Sequence, residues 1–170
     1  MKDNLLKKFI SFSYGSWFGL IIGVLTTMIT TRILSPDNFG KSSMYTTALN
    51  ILVLIVIFGT DQSFVRLFYE EEEEKRGGLL YNCIKIPLVL SIALIILIIV
   101  FNNEVTLYLF GERNFLMAVI LGIDVIIQVI HRYAVLVIRM QQRGNLYSIL
   151  AILTKTIDFV LLLLFYYLLG

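Results

Sequence analysis

Ionisable side chains lie inside two long apolar stretches of this sequence. Asp124 occurs nine residues after Phe115, and Lys155 and Asp158 occur near the middle of residues 146–169. If these stretches cross a membrane, each charge costs about 2.5–3.5 kcal/mol at the bilayer centre and needs a partner, a wet cavity or a function. Two interpretations stay open: a charge cluster that locks two helices together, or the polar wall of a translocation cavity.

Further polar residues follow Asp124 along the same stretch. Gln128 and His131 occur at spacings of four and seven residues, which places all three on one side of a helix. Arg132 continues that side, and we include these residues with Lys155 and Asp158 as candidates for a substrate cavity. His131 alone is a poor metal ligand, because the chain has one histidine and one cysteine. We expect no metal site and no cofactor, and a proton-relay role for His131 stays open.

The amino-acid composition indicates the environment in which these side chains lie. The 170 residues are 58% hydrophobic and 15% charged, whereas soluble domains average about 45–50% and about 25%. The mean hydropathy is +0.86. This composition excludes a soluble domain and a disordered chain. Scattered basic residues at a net charge of +2 exclude a nucleic-acid partner, and one cysteine excludes an internal disulfide framework. The sequence therefore predicts an integral membrane protein whose immediate partner is the lipid bilayer.

The apolar stretches predict an all-α, polytopic membrane bundle. A hydrocarbon core of about 30 Å needs about 20 residues of apolar helix. Five stretches meet this length, and the connectors between them are too short to hold a separate domain. The first stretch is longer than the core of a secretory signal and lacks a small-residue cleavage site, so we read it as a retained span. We expect one membrane domain over residues 1–170, with spans at about 9–31, 43–60, 79–101, 115–138 and 146–169.

The distribution of lysine and arginine predicts the orientation. The amino terminus and the second and fourth connectors carry eight such residues, whereas the first and third connectors carry three. Cytoplasmic loops hold the excess of positive charge. We therefore expect a multi-pass protein of the cell membrane with a cytoplasmic amino terminus. The acidic run at residues 70–74 lies in a connector, where consecutive carboxylates form a solvated cap and not a convergent metal site.

Two further sets of residues are candidates for packing and binding. Gly15, Gly19 and Gly23 recur every four residues, a small-xxx-small pattern that lets a neighbouring helix approach closely. In one interpretation of the arginines, Arg32 and Arg139 are interface anchors. In the other, Arg66 or Arg132 lies at a cavity mouth, where it would attract a pyrophosphate headgroup by charge-assisted hydrogen bonds.

Three connector segments resemble those of a known family. Residues 31–40, Thr-Arg-Ile-Leu-Ser-Pro-Asp-Asn-Phe-Gly, are similar to its Arg-x-Leu-x-Pro-x-x-Phe-Gly pattern. Residues 59–66, Gly-Thr-Asp-Gln-Ser-Phe-Val-Arg, are similar to its glycine-to-arginine segment after the second span. Residues 137–143, Val-Ile-Arg-Met-Gln-Gln-Arg, are similar to its arginine-led exit from the fourth span. The chain thus resembles the amino-terminal part of the polysaccharide-export and lipid-linked oligosaccharide flippases. Their superfamily includes the multidrug and toxic compound extruders and the lipid II flippases.

The resemblance implies a function and an architecture. Such transporters have two lobes of helices around a central cavity and flip an undecaprenyl-pyrophosphate-linked oligosaccharide by alternating access, for assembly of lipopolysaccharide or capsule. The five spans would form most of one lobe, so we expect an amino-terminal fragment of a longer transporter. The implied partners are the lipid-linked oligosaccharide, a polysaccharide polymerase and glycosyltransferases. The coupling ion, H⁺ or Na⁺, stays open.

Other functions are weighed against this one. A multidrug or cation antiporter of the same superfamily would use Asp124 or Asp158 as its ion-binding carboxylate. A small, non-catalytic membrane scaffold is the alternative for a complete five-helix chain. A membrane enzyme is disfavoured, because the sequence has no glycine-rich phosphate loop, no HExxH and no nucleophile elbow.

Overall fold

The computed structural model describes the backbone of residues 2–169 and the side chains of residues 10–164 and 166–168. The described chain is helical without strands, which confirms the predicted all-α polytopic class. Five of its helices are long and apolar enough to cross a membrane. The helices are α1 (Lys2–Ile33), α2 (Pro36–Ile57), α3 (Thr60–Leu67), α4 (Arg76–Val100), α5 (Asn102–Phe110), α6 (Phe115–Met140) and α7 (Gly144–Leu169), with a short 3₁₀ turn at Glu73–Lys75.

Local chemistry sets where α2 and α3 begin and end. Pro36 is the first residue of α2, where its missing N–H would have no helical partner. The Ser35 hydroxyl accepts the backbone N–H of Asn38 at 3.4 Å, in the manner of a helix cap. At the other end, Phe58 (φ 46°) and Gly59 (φ 77°) adopt the left-handed conformation and separate α2 from α3.

The helix boundaries differ from the sequence-based spans in two places. The second span begins at Pro36 and not near residue 43, because the proline initiates the helix. The third connector contains a further helix, α5, which is followed by Gly111 in the left-handed conformation. Because α5 is short and begins with the polar residues Asn102 and Asn103, the pattern of long apolar stretches does not indicate it.

The backbone contacts divide the chain into two compact units. The terminal unit comprises Met1–Phe39 and Gln141–Gly170, in which α1 packs along α7. The central unit, Gly40–Met140, contains α3 to α6 and most of α2.

The core of the central unit lies where α2, α3, α4 and α6 meet. In this core α6 buries one face, including Leu121, Val125 and Val129, and α3 buries Phe64. Gly122 of α6 faces Ile95 of α4, so the two helices approach closely at this point. This packing fixes which face of α6 is turned away from the core, and that face carries the polar residues.

Candidate functional site

A polar cleft lies in the central unit between α2, α3 and α6. Its volume is about 470 Å³, within the range of about 300–1,000 Å³ usual for small-molecule sites. The residues that line the cleft are Asn50, Val53, Asp61, Gln62, Val65, Gln128, His131, Arg132, Val135, Leu136 and Arg139. Seven of these eleven side chains are polar or charged. Two of the three helices that form the cleft, α2 and α6, are nevertheless long and apolar enough to cross a membrane.

An ion pair between α3 and α6 lies in the wall of this cleft. Arg132 donates to the same oxygen of Asp61, Oδ2, from Nη2 at 2.7 Å and from Nε at 3.2 Å. The other oxygen of Asp61 accepts the backbone N–H of Gln62 at 2.9 Å. Asp61 is buried whereas Arg132 is exposed. The carboxylate is therefore embedded in the protein beside the cleft, and the guanidinium is accessible from the cleft.

The rest of the cleft carries excess positive charge. Arg139 lies on the same face of α6, seven residues after Arg132, and has no ion-pair partner among the described residues. His131 directly precedes Arg132, Gln128 lies one turn before it on α6, and both are also exposed. With Asp61 balancing Arg132, the formal net charge of the lining is +1 when His131 is neutral. The cleft therefore favours an anionic ligand.

Asp124 lies on the same side of α6 but outside the residues that line the cleft. Its carboxylate accepts a hydrogen bond from the Tyr45 hydroxyl of α2. Both residues are partly buried. Asp124 is thus held by a neutral donor within the central unit.

A second set of hydrogen bonds fixes the helices beneath the cleft. Pro87 of α4 has no N–H, so the Cys83 carbonyl lacks its usual helical donor. Tyr133 of α6 donates to that carbonyl at 3.2 Å. The Tyr133 oxygen also lies 2.6 Å from the hydroxyl of Thr60, the first residue of α3. Tyr133 therefore links α3, α4 and α6 directly beside Arg132.

The remaining sequence-predicted candidates lie elsewhere. Arg66 is exposed on α3 and is not among the residues that line the cleft. Lys155 and Asp158 are exposed on α7, in the terminal unit, and no ion pair joins them within the described part of that helix. The structure thus brings together Gln128, His131 and Arg132 from the predicted set.

The three glycines of the α1 pattern differ in how closely α7 approaches them within the terminal unit. A Cβ on Gly15 would overlap the Ser148 backbone of α7 and lie 2.7 Å from its carbonyl oxygen. Gly15 also donates its N–H to the Ser148 hydroxyl at 3.2 Å, and that hydroxyl donates to the Ser11 carbonyl at 2.7 Å. A Cβ on Gly19 would meet the Lys155 side chain at an ordinary 3.8 Å, and one on Gly23 would meet nothing within 4 Å. The closest approach of α1 to α7 is therefore at Gly15.

Sequence reasoning missed three residues that shape the central site: Asp61, Tyr45 and Tyr133. Asp61 has a detectable signal, because it is an acidic residue in the first turn of a short helix of polar and apolar residues that follows the Gly59 bend. Tyr45 and Tyr133 have no such signal, since tyrosine is common in membrane helices and its partner is set by the packing. No cluster of three metal-ligating side chains occurs among the described residues.

Comparison with the profiles of known protein families gives a match over nearly the whole chain. The profile of the family described as polysaccharide biosynthesis protein matches residues 5–170, nearly the whole chain. Neither the curated proteins nor the solved structures include a significant match to the chain.

Proposed function

Because this chain belongs to the polysaccharide biosynthesis protein family, we propose that it acts in flipping a lipid-linked oligosaccharide across the cell membrane for assembly of a surface polysaccharide. The carrier would be a polyprenyl pyrophosphate of the undecaprenyl type. The protein binds and moves this lipid by alternating access and catalyses no covalent step. It is a multi-pass membrane protein, and its partners would include the enzymes that build and polymerise the oligosaccharide.

The observation that carries this proposal is the polar cleft. Its arginines are suited to a pyrophosphate headgroup, because guanidinium groups form paired, charge-assisted hydrogen bonds with phosphate oxygens. The amides of Asn50, Gln62 and Gln128 line the same space. Amides donate and accept hydrogen bonds, as sugar hydroxyls require. The cleft thus offers both kinds of group that a headgroup with attached sugars needs.

The orientation that we propose puts the cleft near the cytoplasmic face. Arg132 lies eight residues before Met140, the last residue of α6, which is about 12 Å at 1.5 Å per residue. The excess of lysine and arginine assigns this end of α6, and the amino terminus, to the cytoplasm. A lipid-linked precursor made in the cytoplasm would then reach the cleft from its own side of the membrane.

The Tyr45–Asp124 pair favours a second candidate function, a cation or multidrug antiporter of the same superfamily. A carboxylate at the middle of a span, bonded to a neutral hydroxyl, could accept a coupling cation, H⁺ or Na⁺. The substrate separates the two functions. A lipid pyrophosphate would require the arginines of α6, whereas a cationic drug would be repelled by them.

The proposal is tested by replacing the charges in the protein as it occurs in its own cell. We expect Arg139→Gln, which removes a charge of the cleft, to lower surface polysaccharide at least about tenfold. Asp124→Asn and Lys155→Met, which remove charges from the middle of two spans, should lower it by a similar factor. The amount of protein in the membrane should not change. Glu104→Gln is the matched control, because Glu104 is an exposed carboxylate on α5, outside the cleft. Unchanged polysaccharide in all three variants would contradict the proposed function.

A further inference from the structure

The Asp61–Arg132 pair has a geometry that leaves half of the guanidinium available. A guanidinium presents two edges for paired hydrogen bonds, one formed by Nε and one Nη atom and the other by the two Nη atoms. Asp61 takes only the first edge, through a single oxygen, Oδ2. The second edge, formed by Nη1 and the remaining hydrogen of Nη2, has no acceptor among the described residues.

The exposure of the two side chains supports the same division. The Arg132 side chain is 48% exposed and the Asp61 side chain 9%. The open edge of Arg132 therefore belongs to a half-exposed group that lines the cleft. A ligand can reach this edge without displacing the buried carboxylate.

Asp61 itself is held rigidly. Its second oxygen accepts the Gln62 N–H, and its neighbour Thr60 contacts the Tyr133 hydroxyl. One turn further along α3, Phe64 is fully buried and packs edge-on against the Tyr133 ring. A carboxylate fixed in this way restricts the rotation of the arginine that it binds, and a restricted arginine loses less entropy when a ligand binds.

We propose that Asp61 is a positioning residue for an anion site in the polar cleft. It holds Arg132 by one edge, so that the other edge, together with Arg139, binds the diphosphate of a membrane lipid headgroup. This inference rests on the proposed function and deepens it, because it names the side chain that makes Arg132 a directed donor and not only a positive charge.

The direction in which the affinity for pyrophosphate changes in an Asp61 variant distinguishes a positioning role from simple charge attraction. Replacing Asp61 by Asn removes a negative charge from the cleft, so attraction alone predicts tighter binding of an anion. Positioning predicts weaker binding, because the neutral amide of Asn binds a guanidinium less strongly than a carboxylate does and Arg132 is then held less firmly. We expect Asp61→Asn to weaken binding of inorganic pyrophosphate at least about tenfold. The measurement is calorimetric titration of the full chain in lipid nanodiscs at constant ionic strength, and Glu104→Gln, which removes a charge outside the cleft, should bind as the unchanged protein does.

A double variant covers the case in which Asp61→Asn fails to fold. Asp61→Arg with Arg132→Asp keeps both charges and the ion pair but moves the guanidinium from α6 to α3. We expect its melting temperature to return towards that of the unchanged protein while pyrophosphate binding stays lost. Pyrophosphate binding that returned together with the melting temperature would overturn the inference, because the direction of the guanidinium would then not matter.

The outcomes distinguish this inference from the proposed function. Binding of pyrophosphate by Asp61→Asn as tightly as by the unchanged protein, or more tightly, would overturn the role of Asp61 and leave the proposed function standing. If the unchanged protein binds neither inorganic pyrophosphate nor farnesyl pyrophosphate in the nanodisc, headgroup recognition fails and the inference fails with it. Because the site contacts only the diphosphate, Asp61→Asn should weaken both probes by a similar factor, and a loss confined to one probe would contradict it.

Discussion

The backbone carbonyl of Cys83 in α4 lacks its usual helical hydrogen bond because of Pro87. Pro87 cannot supply the backbone donor four residues on, and water is absent from the hydrocarbon core. Tyr133, which is 1% exposed, supplies the donor from α6. Tyr133 therefore replaces the hydrogen-bond donor that Pro87 lacks, although the two residues are 46 positions apart in the sequence.

This dependence predicts that a change at Pro87 partly restores the stability lost by a change at Tyr133. Tyr133→Phe should lower the free energy of unfolding by about 1–3 kcal/mol, the cost of a buried polar group left without a partner. Pro87→Ala in the same chain should recover part of the loss, since alanine restores a backbone N–H for Cys83. Unfolding in detergent with a denaturant measures both changes.

The matched control is Tyr108→Phe, because Tyr108 is exposed on α5 and has no hydrogen bond among the described contacts. It should leave stability unchanged. Equal effects of Pro87→Ala in the presence and absence of Tyr133 would contradict the coupling, since the double-mutant cycle would then show no interaction between them.

At the scale of residues, the sequence identifies candidates but not their partners. The spacing of Gln128, His131 and Arg132 along one helix is a local property, and the structure does bring these three residues to one cleft. Asp61 and Arg132 are 71 residues apart, and no local pattern pairs them. The hypothesis of a cluster formed by Asp124, Lys155 and Asp158 stays a prediction. The partner that the structure gives Asp124 is Tyr45.

At the scale of elements, α1 and α7 form a close pair whose contact depends on one glycine of the predicted stripe. Gly15 meets Ser148 backbone directly, whereas the side chain of Lys155 lies at an ordinary distance from Gly19. Small residues at such contacts allow the dispersion and hydrogen-bonding interactions that stabilise helix pairs in lipid. Gly144 of α7 is a second close contact, against Ser11 and Phe12, that the four-residue pattern does not include.

The three glycines therefore give a graded prediction. Gly15→Ala should destabilise the chain by about 1–3 kcal/mol, because the added methyl overlaps backbone that cannot move aside cheaply. Gly19→Ala should be close to neutral. Gly23→Ala should stabilise by about 0.4–1 kcal/mol, since alanine restricts the unfolded chain and meets no neighbour.

Unfolding measurements on the three single variants give the comparison. A loss of equal size at Gly15 and Gly23 would contradict the assignment of the contact to Gly15. Ser148→Ala provides an independent check on the same contact, because it removes the hydroxyl that accepts from Gly15 and donates to Ser11.

At the scale of the whole molecule, the distribution of charge and the polar face of α6 constrain how the chain lies in a membrane. Asp124, Gln128, His131 and Arg132 are exposed or half-exposed within a helix of membrane-spanning length. Exposing these groups to lipid would be costly. In the membrane this face must therefore border water, a bound polar ligand or further protein, as a translocation pathway requires.

The proposed orientation predicts the accessibility of single introduced cysteines. With Cys83→Ala as the background, a cysteine at Glu104 on α5 should react with a membrane-impermeant thiol reagent added outside intact cells. A cysteine at Glu74, in the second connector, should react only after the membrane is opened. Both positions are exposed, whereas Cys83 is buried and unsuited to this experiment. The reverse pattern would contradict a cytoplasmic amino terminus.

The sequence by itself determined the fold class, the family and the approximate spans. These follow from local properties: a helix satisfies its own backbone hydrogen bonds, and about 20 apolar residues are long enough to cross the hydrocarbon core. The tertiary structure alone decided that Asp61 binds Arg132, that Tyr45 binds Asp124 and that Tyr133 compensates for Pro87. Each of these contacts joins different helices, and the pairing of helix faces depends on how all the side chains of the unit pack together.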